Sequence, residues 1–270
     1  MLSDITLGQY FPGRSILHRM DPRAKMVLVL AAIVLIFTAF NFASMGLVVA
    51  LILAAMLLSG VPVKMYLKSM KAILFIVAFT SLLNLFYGTG EPVFQWGFMQ
   101  ITMNGIYRCI FIAIRITALI LCSSILTFTT SPTQLTDAME RLMKPLKLFR
   151  VPVHDIAMMM TIALRFVPTL LEETDKIMSA QKARGADMES GGLMQRIKAL
   201  IPILIPLFVS AFRRAYDLAM AMECRCYNSR MIPTKMKQLH MTGRDAVAVV
   251  VVVLIAAGVI VGDIFLPALA

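Results

Sequence analysis

Residues 246–266 read AVAVVVVVLIAAGVIVGDIFL, an apolar run interrupted only by Asp263 near its far end. About 20 mostly apolar residues are what an α-helix needs to cross the hydrocarbon core of a bilayer. Four further runs share this character: Ile106–Phe128, which carries Arg108 and Arg115, then Ala72–Tyr87, Met45–Leu58 and Met26–Phe40. The last two are short for full spans and are joined by Asn41-Phe42-Ala43-Ser44, which predicts a tight or tilted hairpin. The whole composition agrees. The chain has 270 residues, 59% hydrophobic and 15% charged, with a mean hydropathy of +0.82. Soluble globular chains average about 45–50% apolar and about 25% charged. The expected fold class is an all-α integral membrane protein with about five transmembrane helices. Disordered, collagen-like and disulfide-stapled chains are excluded, as are most soluble enzymes.

The net charge of +11 comes from 26 Lys and Arg against 15 Asp and Glu, and its placement orients the spans. Residues 1–25 hold four basic and two acidic residues. The link 60–71 carries Lys64, Lys68 and Lys71 and no acid. The link Gly88–Gly105 carries Glu91 and neither Lys nor Arg, whereas segment 131–245 holds 17 basic and 11 acidic residues. Basic residues concentrate on the cytoplasmic side of membrane proteins. That rule puts the N-terminus, the 60–71 link and segment 131–245 in the cytoplasm. It puts the 41–44 and 88–105 links and the C-terminus outside, and five spans satisfy it without conflict. The expected division is a membrane domain of about four spans over 1–130, a cytoplasmic domain over 131–244 and a last span over 245–270. Cys109, Cys122, Cys224 and Cys226 form neither a disulfide framework nor a zinc-ligand set. The charged N-terminus offers no early apolar region for a cleaved signal.

Segment 131–245 has the periodicity of long helices rather than of a linker. Ser131-Pro132-Thr133-Gln134 reads as a helix start, with Ser at the N-cap, Pro at the first position and Gln at the third. Leu135, Met139, Leu142, Met143 and Leu146 follow at helical spacing, opposite Asp137, Glu140, Arg141, Lys144 and Lys147, which predicts a helix lying at the membrane surface. A second helix runs from His154–Asp155 to about Arg184, with an apolar stripe from Ile156 to Leu171 and acidic residues thereafter. A third runs from Leu193 to Cys226, bent at Pro202 and Pro206. The short link Gly185–Gly192 makes these two a pair of antiparallel or crossing helices. Each ends in an arginine between small residues: Ala183-Arg184-Gly185 and Cys224-Arg225-Cys226. One reading is local, since Arg suits a last helical turn and Gly a helix end. The other is that small neighbours leave each guanidinium free to enter a partner's groove and meet acidic groups.

Taken together, these residues resemble the T component of energy-coupling factor (ECF) transporters, the EcfT family, related to CbiQ. Near the N-terminus the resemblance rests on Gly13-Arg14-Ser15, His18-Arg19, Asp21-Pro22-Arg23 and Lys25. It continues through Thr130-Ser131-Pro132, Leu164-Arg165-Phe166-Val167-Pro168-Thr169 and Lys182-Ala183-Arg184-Gly185-Ala186. It ends on Ile201-Pro202, Pro206-Leu207 and Phe212-Arg213-Arg214-Ala215. The second tripeptide departs from the commoner Ala-Arg-Gly form but keeps its central Arg225. The resemblance implies a transmembrane scaffold of an ABC-type importer for vitamins or other micronutrients. In it, two Arg tripeptides dock on two ATPase subunits (EcfA and EcfA′). Coupling helices then pass ATP-driven motion to a membrane-embedded S component that captures the substrate. It implies no catalytic site and no cofactor of its own, since ATP is bound by the partner subunits. The expected partners are two ATPases, one S component or several in exchange, and the lipid bilayer, with no nucleic acid.

Other features fit this reading. No G-x-x-x-x-G-K-[ST] string occurs, so nucleotide chemistry belongs elsewhere. His18, His154 and His240 show no ligand spacing and read as interfacial or loop histidines. A mid-span charge such as Arg115 is costly and faces a partner or a polar cavity, here a structural partner in the bundle. Arg108, nearer the outer end, can snorkel. Thirteen of the 22 methionines fall in 131–245, including Met158, Met159 and Met160. Methionine is either core filler or an adaptable surface, and the second reading makes this trio a candidate S-component interface. A membrane enzyme would need a polar catalytic cluster at the interface. A self-contained secondary transporter often shows paired broken helices in inverted halves. Neither pattern is found here.

Overall fold

The computed structural model describes residues 10–86, 92–96, 99–186, 192–228 and 240–265. Among them it forms α1 (Pro22–Thr38), α2 (Phe42–Ser59), α3 (Val63–Phe86), α4 (Met103–Thr129), α5 (Pro132–Leu142), α6 (Val153–Ala183), α7 (Leu193–Glu223) and α8 (Gly243–Phe265). A 3-10 turn, Lys144–Phe149, precedes α6. The protein is an all-α membrane protein. Among the described residues the one departure is a small antiparallel hairpin of β1 (Pro92–Trp96) and β2 (Met99–Thr102) in the link between α3 and α4, pairing Gln95 with Gln100 and Trp96 with Met99. Glu91, residues 187–191 and Leu266 lie outside the described residues.

By length and composition α2, α4, α6 and α8 can each cross a membrane, and α3, bent by 58° between Lys71 and Ile73, can be a fifth span. This set differs from the expected one in two helices. α1 has 17 residues, about 25 Å at ~1.5 Å each, and falls just under a full span. α6 is long and apolar enough to qualify, but its mean hydropathy of 1.3 is well below the 2.4 to 2.9 of α2, α4 and α8. The helix that follows Ser131 is also shorter than expected. α5 ends at Leu142, and Leu146 sits in the 3-10 turn, because Pro145 has no N–H to extend an α-helix. Its start follows expectation: Ser131 Oγ accepts from Gln134 N (3.3 Å) while Ser131 N donates to Gln134 Oε1 (3.4 Å).

The chain divides into two compact units. One comprises Gly8–Ala138 and Leu239–Ala270, and the other centres on Met139–Gln238. The first unit has its apolar core among α1, α2, α4 and α8, around Ile36, Met45, Val48, Phe111, Phe128 and Val259. Tyr66, only 1% exposed, is seated edge-on to Phe128 at 5.2 Å, and its hydroxyl pairs with Ser59 Oγ at 2.9 Å. Gly258 and Gly262 let α8 approach α2 closely: a Cβ at Gly262 would lie 3.0 Å from Ser44 Oγ. Asp263 secures that contact, accepting from Ser44 Oγ (2.7 Å) and Asn41 Nδ2 (3.1 Å) in the α1–α2 link. The mid-span Arg115 has the structural partner that its cost demands. Its Nη2 donates to Ala39 O at the end of α1 (2.6 Å), and its guanidinium lies 4.7 Å from the Phe111 ring centre.

At the opposite end of this bundle three helix termini are tied together. Asp21 caps α1 by accepting from Arg23 N (2.9 Å). Asp245, at the start of α8, accepts from Asp21 N (3.0 Å) and Thr242 N (2.8 Å). Lys25 Nζ donates to Thr129 O (3.0 Å) and Thr130 Oγ1 (3.3 Å) at the end of α4. Asp21, Lys25 and Asp245 are all buried, and both carboxylates act electrostatically on Lys25. The N-terminal approach is also built in. Phe11 N donates to Phe128 O (3.0 Å), and His18 bonds Ser15 Oγ (2.7 Å) and Phe11 O (2.9 Å), so it is a loop histidine. Gly13 is required here, because a Cβ would meet the His18 ring at 2.7 Å.

Removing one member of a buried charged group costs about 3–5 kcal/mol, since its partners stay buried without it. Lys25→Ala is therefore expected to lower the stability of the detergent-purified protein by about that amount, read as a lowered melting temperature. An unchanged melting temperature would show that the cluster does not hold the bundle.

Candidate functional site

The second unit is dominated by α6 and α7, each of 31 residues. They run antiparallel, as the contacts between them show. Gln181 Nε2 donates to Pro202 O (3.3 Å). Glu173 accepts from Ser210 Oγ (2.5 Å) and Arg214 Nη2 (2.7 Å). Tyr227 OH donates to Met158 Sδ (3.0 Å). As the position on α6 falls, its partner's number rises. The bond to Pro202 has a local cause. Pro206 has no N–H to give to the carbonyl four residues earlier, so the Pro202 oxygen is left for Gln181 to take. Both prolines are accommodated within a continuous α7.

The sequence reading counts Glu173 only among the acidic residues after the α6 stripe and passes over Ser210, yet they pin the pair together. Each lies three residues beyond an apolar-stripe position, Leu170 and Leu207, so a polar residue continuing an apolar stripe was the available signal. Beside these pins, the two helices leave large apolar side chains exposed, among them Ile201, Ile205, Phe208 and Phe212 on α7. Exposed apolar surface of this extent marks a contact with a partner or with lipid.

The two arginine tripeptides have the same backbone. At the end of α6, Gly185 N donates to Lys182 O (3.0 Å) and Ala186 N to Gln181 O (3.0 Å), with Gly185 at φ +85°. Past the end of α7, Cys226 N donates to Glu223 O (2.9 Å) and Tyr227 N to Met222 O (3.0 Å), with Cys226 at φ +55°. This is one helix-ending motif used twice, with nested bonds around a left-handed residue. Ala183 corresponds to Cys224, Arg184 to Arg225 and Gly185 to Cys226. Cys226 takes, at some strain, the conformation that glycine takes freely in the first copy. All six residues are exposed. Among the described residues neither Arg184 nor Arg225 has a side-chain partner. The local reading of the arginines explains where each backbone ends, but it leaves both guanidinium groups open to solvent.

The antiparallel pairing separates the two copies. Cys226 lies next to Tyr227, which touches Met158, and Arg184 is 26 positions further along α6, about 40 Å at ~1.5 Å per residue. Met158 is thus brought to the second arginine and turned onto Tyr227, whereas Met159 and Met160 are 62% and 50% exposed. The structure separates the methionine trio into one packing residue and two surface residues. At the entry to α6, His154 Nδ1 meets Glu140 Oε1 at 2.9 Å. Among the described residues no group of three or more His, Cys, Asp or Glu could hold a metal ion.

Known proteins give this arrangement a context. Residues 13–236 match the CbiQ family, described as cobalt transport protein. The energy-coupling factor transporter transmembrane protein EcfT of Ruminiclostridium cellulolyticum is 51% identical over 245 residues, covering 91% of this chain and 92% of that protein. The EcfT of Thermosediminibacter oceani is 48% identical over 257 residues, 95% of this chain and 97% of that one. The EcfT of Bacillus subtilis is 44% identical over 258 residues, again 95% and 97%.

The strain at Cys226 is testable. A left-handed conformation costs a non-glycine residue about 1–2 kcal/mol, partly offset in glycine by the entropy it loses on folding. Cys226→Gly should raise the melting temperature slightly, by a gain of about 1 kcal/mol or less, and Cys226→Val should lower it. The reverse order would show that the second tripeptide does not adopt the conformation of the first.

Proposed function

The chain belongs to the EcfT family, the transmembrane component of energy-coupling factor transporters, and from that membership we propose that it carries ATP-driven motion from two ATPase subunits to a substrate-binding S component. Arg184 and Arg225 are the docking points, one for each ATPase. The observation that carries this reading is the pair of matching helix ends, each presenting an unpartnered arginine, held about 40 Å apart by one pinned helix pair. A guanidinium supplies a fork of donors suited to carboxylates. Small flanking residues, Ala183 and Gly185 in one copy and Cys224 and Cys226 in the other, let it enter a groove. When ATP closes the two ATPases, the sites holding Arg184 and Arg225 move relative to each other. The bonds from Glu173 and Gln181 to α7 resist sliding, so the pair moves as a lever rather than shearing.

In this reading the protein hydrolyses nothing and needs no cofactor. ATP stays in the partner subunits, and the substrate, a vitamin or another micronutrient, is held by the S component. α1, α2, α3, α4 and α8 lie in the membrane. The N-terminus and segment 131–245 face the cytoplasm, and the C-terminus lies outside, as the placement of Lys and Arg supports. The exposed apolar faces of α6 and α7, including Met159 and Met160, receive the S component. Methionine's flexible side chain suits a surface that repacks against several of them.

Two experiments test this. Truncating one partner of an interfacial charged hydrogen-bonded pair typically costs 2–5 kcal/mol, and reversing its sign adds repulsion. Arg184→Glu combined with Arg225→Glu should therefore cut co-purification of the ATPase subunits more than tenfold and abolish uptake, with the protein still at normal levels in the membrane. Normal uptake would refute the assignment. Met159→Ile with Met160→Ile should narrow the set of S components that co-purify while leaving the ATPases bound, and an unchanged set would remove these residues from that interface.

A further inference from the structure

A cavity of about 630 Å³ lies within the membrane unit, lined by α1 from Lys25 to Ala32, α2 from Leu51 to Leu58, α4 from Cys122 to Thr129, α8 from Gly243 to Val252 and residues 16–20 of the N-terminal approach. That volume falls within the range of small-molecule sites, about 300–1,000 Å³. At ~1.5 Å per residue these stretches reach about 10–14 Å from the helix ends that Lys25, Thr129 and Asp245 tie together. The hydrocarbon core is about 30 Å thick, so the cavity has the depth of one leaflet. Its walls are apolar throughout that depth, with residues such as Val29, Ala55 and Val251.

The charge lies at the mouth. Lys25 and Arg244 line that end. The acidic residues there are buried and bonded within the cluster: Asp21 accepts from Arg23 N through Oδ1, and Asp245 from Asp21 N and Thr242 N. Lys25 directs two of its N–H groups to Thr129 O and Thr130 Oγ1. Arg244 is exposed and has no ion-pair partner among the described residues. Arg14 and Arg19, also exposed, flank the cavity-lining residues of the N-terminal approach. An apolar slot one leaflet deep with an unpaired arginine at its rim matches a lipid tail with an anionic headgroup, and basic pockets between membrane helices are known to take such headgroups.

We propose that this cavity is a binding site for an anionic phospholipid of the leaflet at the basic end, with one acyl chain between α1, α2, α4 and α8 and the phosphate on Arg244. The test uses the full chain purified in mild detergent and titrated with dioleoyl-phosphatidylglycerol or dioleoyl-phosphatidylcholine, read by melting temperature and by native mass spectrometry. Phosphatidylglycerol should bind and raise the melting temperature. A basic residue at a membrane surface contributes about fivefold in affinity for an anionic headgroup, so phosphatidylcholine should bind about fivefold more weakly. Arg244→Gln and Arg244→Glu should each bring phosphatidylglycerol down to the level of phosphatidylcholine. Ala248→Phe, which fills the slot, should lower retention of both lipids. Equal binding of the two lipids by the unaltered protein would overturn the proposal, as would a headgroup preference that survives both Arg244 variants. The same shift produced by glycerol phosphate alone would assign the site to a soluble anion and overturn the lipid.

Discussion

A buried lysine at the beginning of the first helix holds the membrane unit closed. This unit is discontinuous in sequence: the chain leaves it after Ala138 and returns at Leu239. Something must therefore join the point of exit to the point of return, and Lys25 with its neighbours does so. Its ammonium group donates to the carbonyl of Thr129 and the hydroxyl of Thr130 at the end of α4, just before the chain passes into α5. Asp245, just after the return, holds the backbone of Asp21. Burying three charges is costly unless they compensate one another. The arrangement sets two carboxylates around one ammonium, and helix-terminal N–H and C=O groups bond to Asp21 Oδ1, Asp245 and Lys25, while Asp21 Oδ2 is buried without a hydrogen-bond partner among the described residues.

In the second unit two like helix ends stand far apart on one helix pair. A helix that closes around a left-handed residue turns the chain away sharply and leaves the preceding side chain at the tip. In both copies that side chain is an arginine. Stiffness comes from polar contacts between α6 and α7, one of which exists only because a proline frees a carbonyl. Pro206, which removes one bond from α7, thus frees an acceptor for its neighbour.

Much of this was legible in the chain. Apolar runs of the length a bilayer demands placed α2, α4 and α8 to within a few residues, because lipid leaves the backbone few alternatives to a helix. α3 begins at Val63, nine residues before the expected run, so that Lys64, Lys68 and Lys71 lie within the helix rather than in a link. Local chemistry marked the Ser131 cap and the left-handed Gly185. Periodicity failed where two signals competed. Leu146 keeps the apolar spacing of α5, but Pro145 ends the helix before it. Length rather than hydropathy separates α6 from α1 as a span: α1 has only 17 residues, whereas α6 holds a window of mean hydropathy 1.3 although its second half is polar.

The sequence by itself determined the class of the protein and the order of its helices, because each follows from composition and period, and it set two arginines at the ends of two long helices. Tertiary structure decided what those rules do not reach. It set Cys226 in the conformation of Gly185, which no residue preference would suggest for a cysteine. It brought Met158 onto Tyr227, gave Arg115 the carbonyl of Ala39 and joined Lys25 to Thr129 and Asp21 to Asp245. These contacts link positions tens to hundreds of residues apart. They form because a buried polar group must find its partner wherever the packing of apolar helices has placed one.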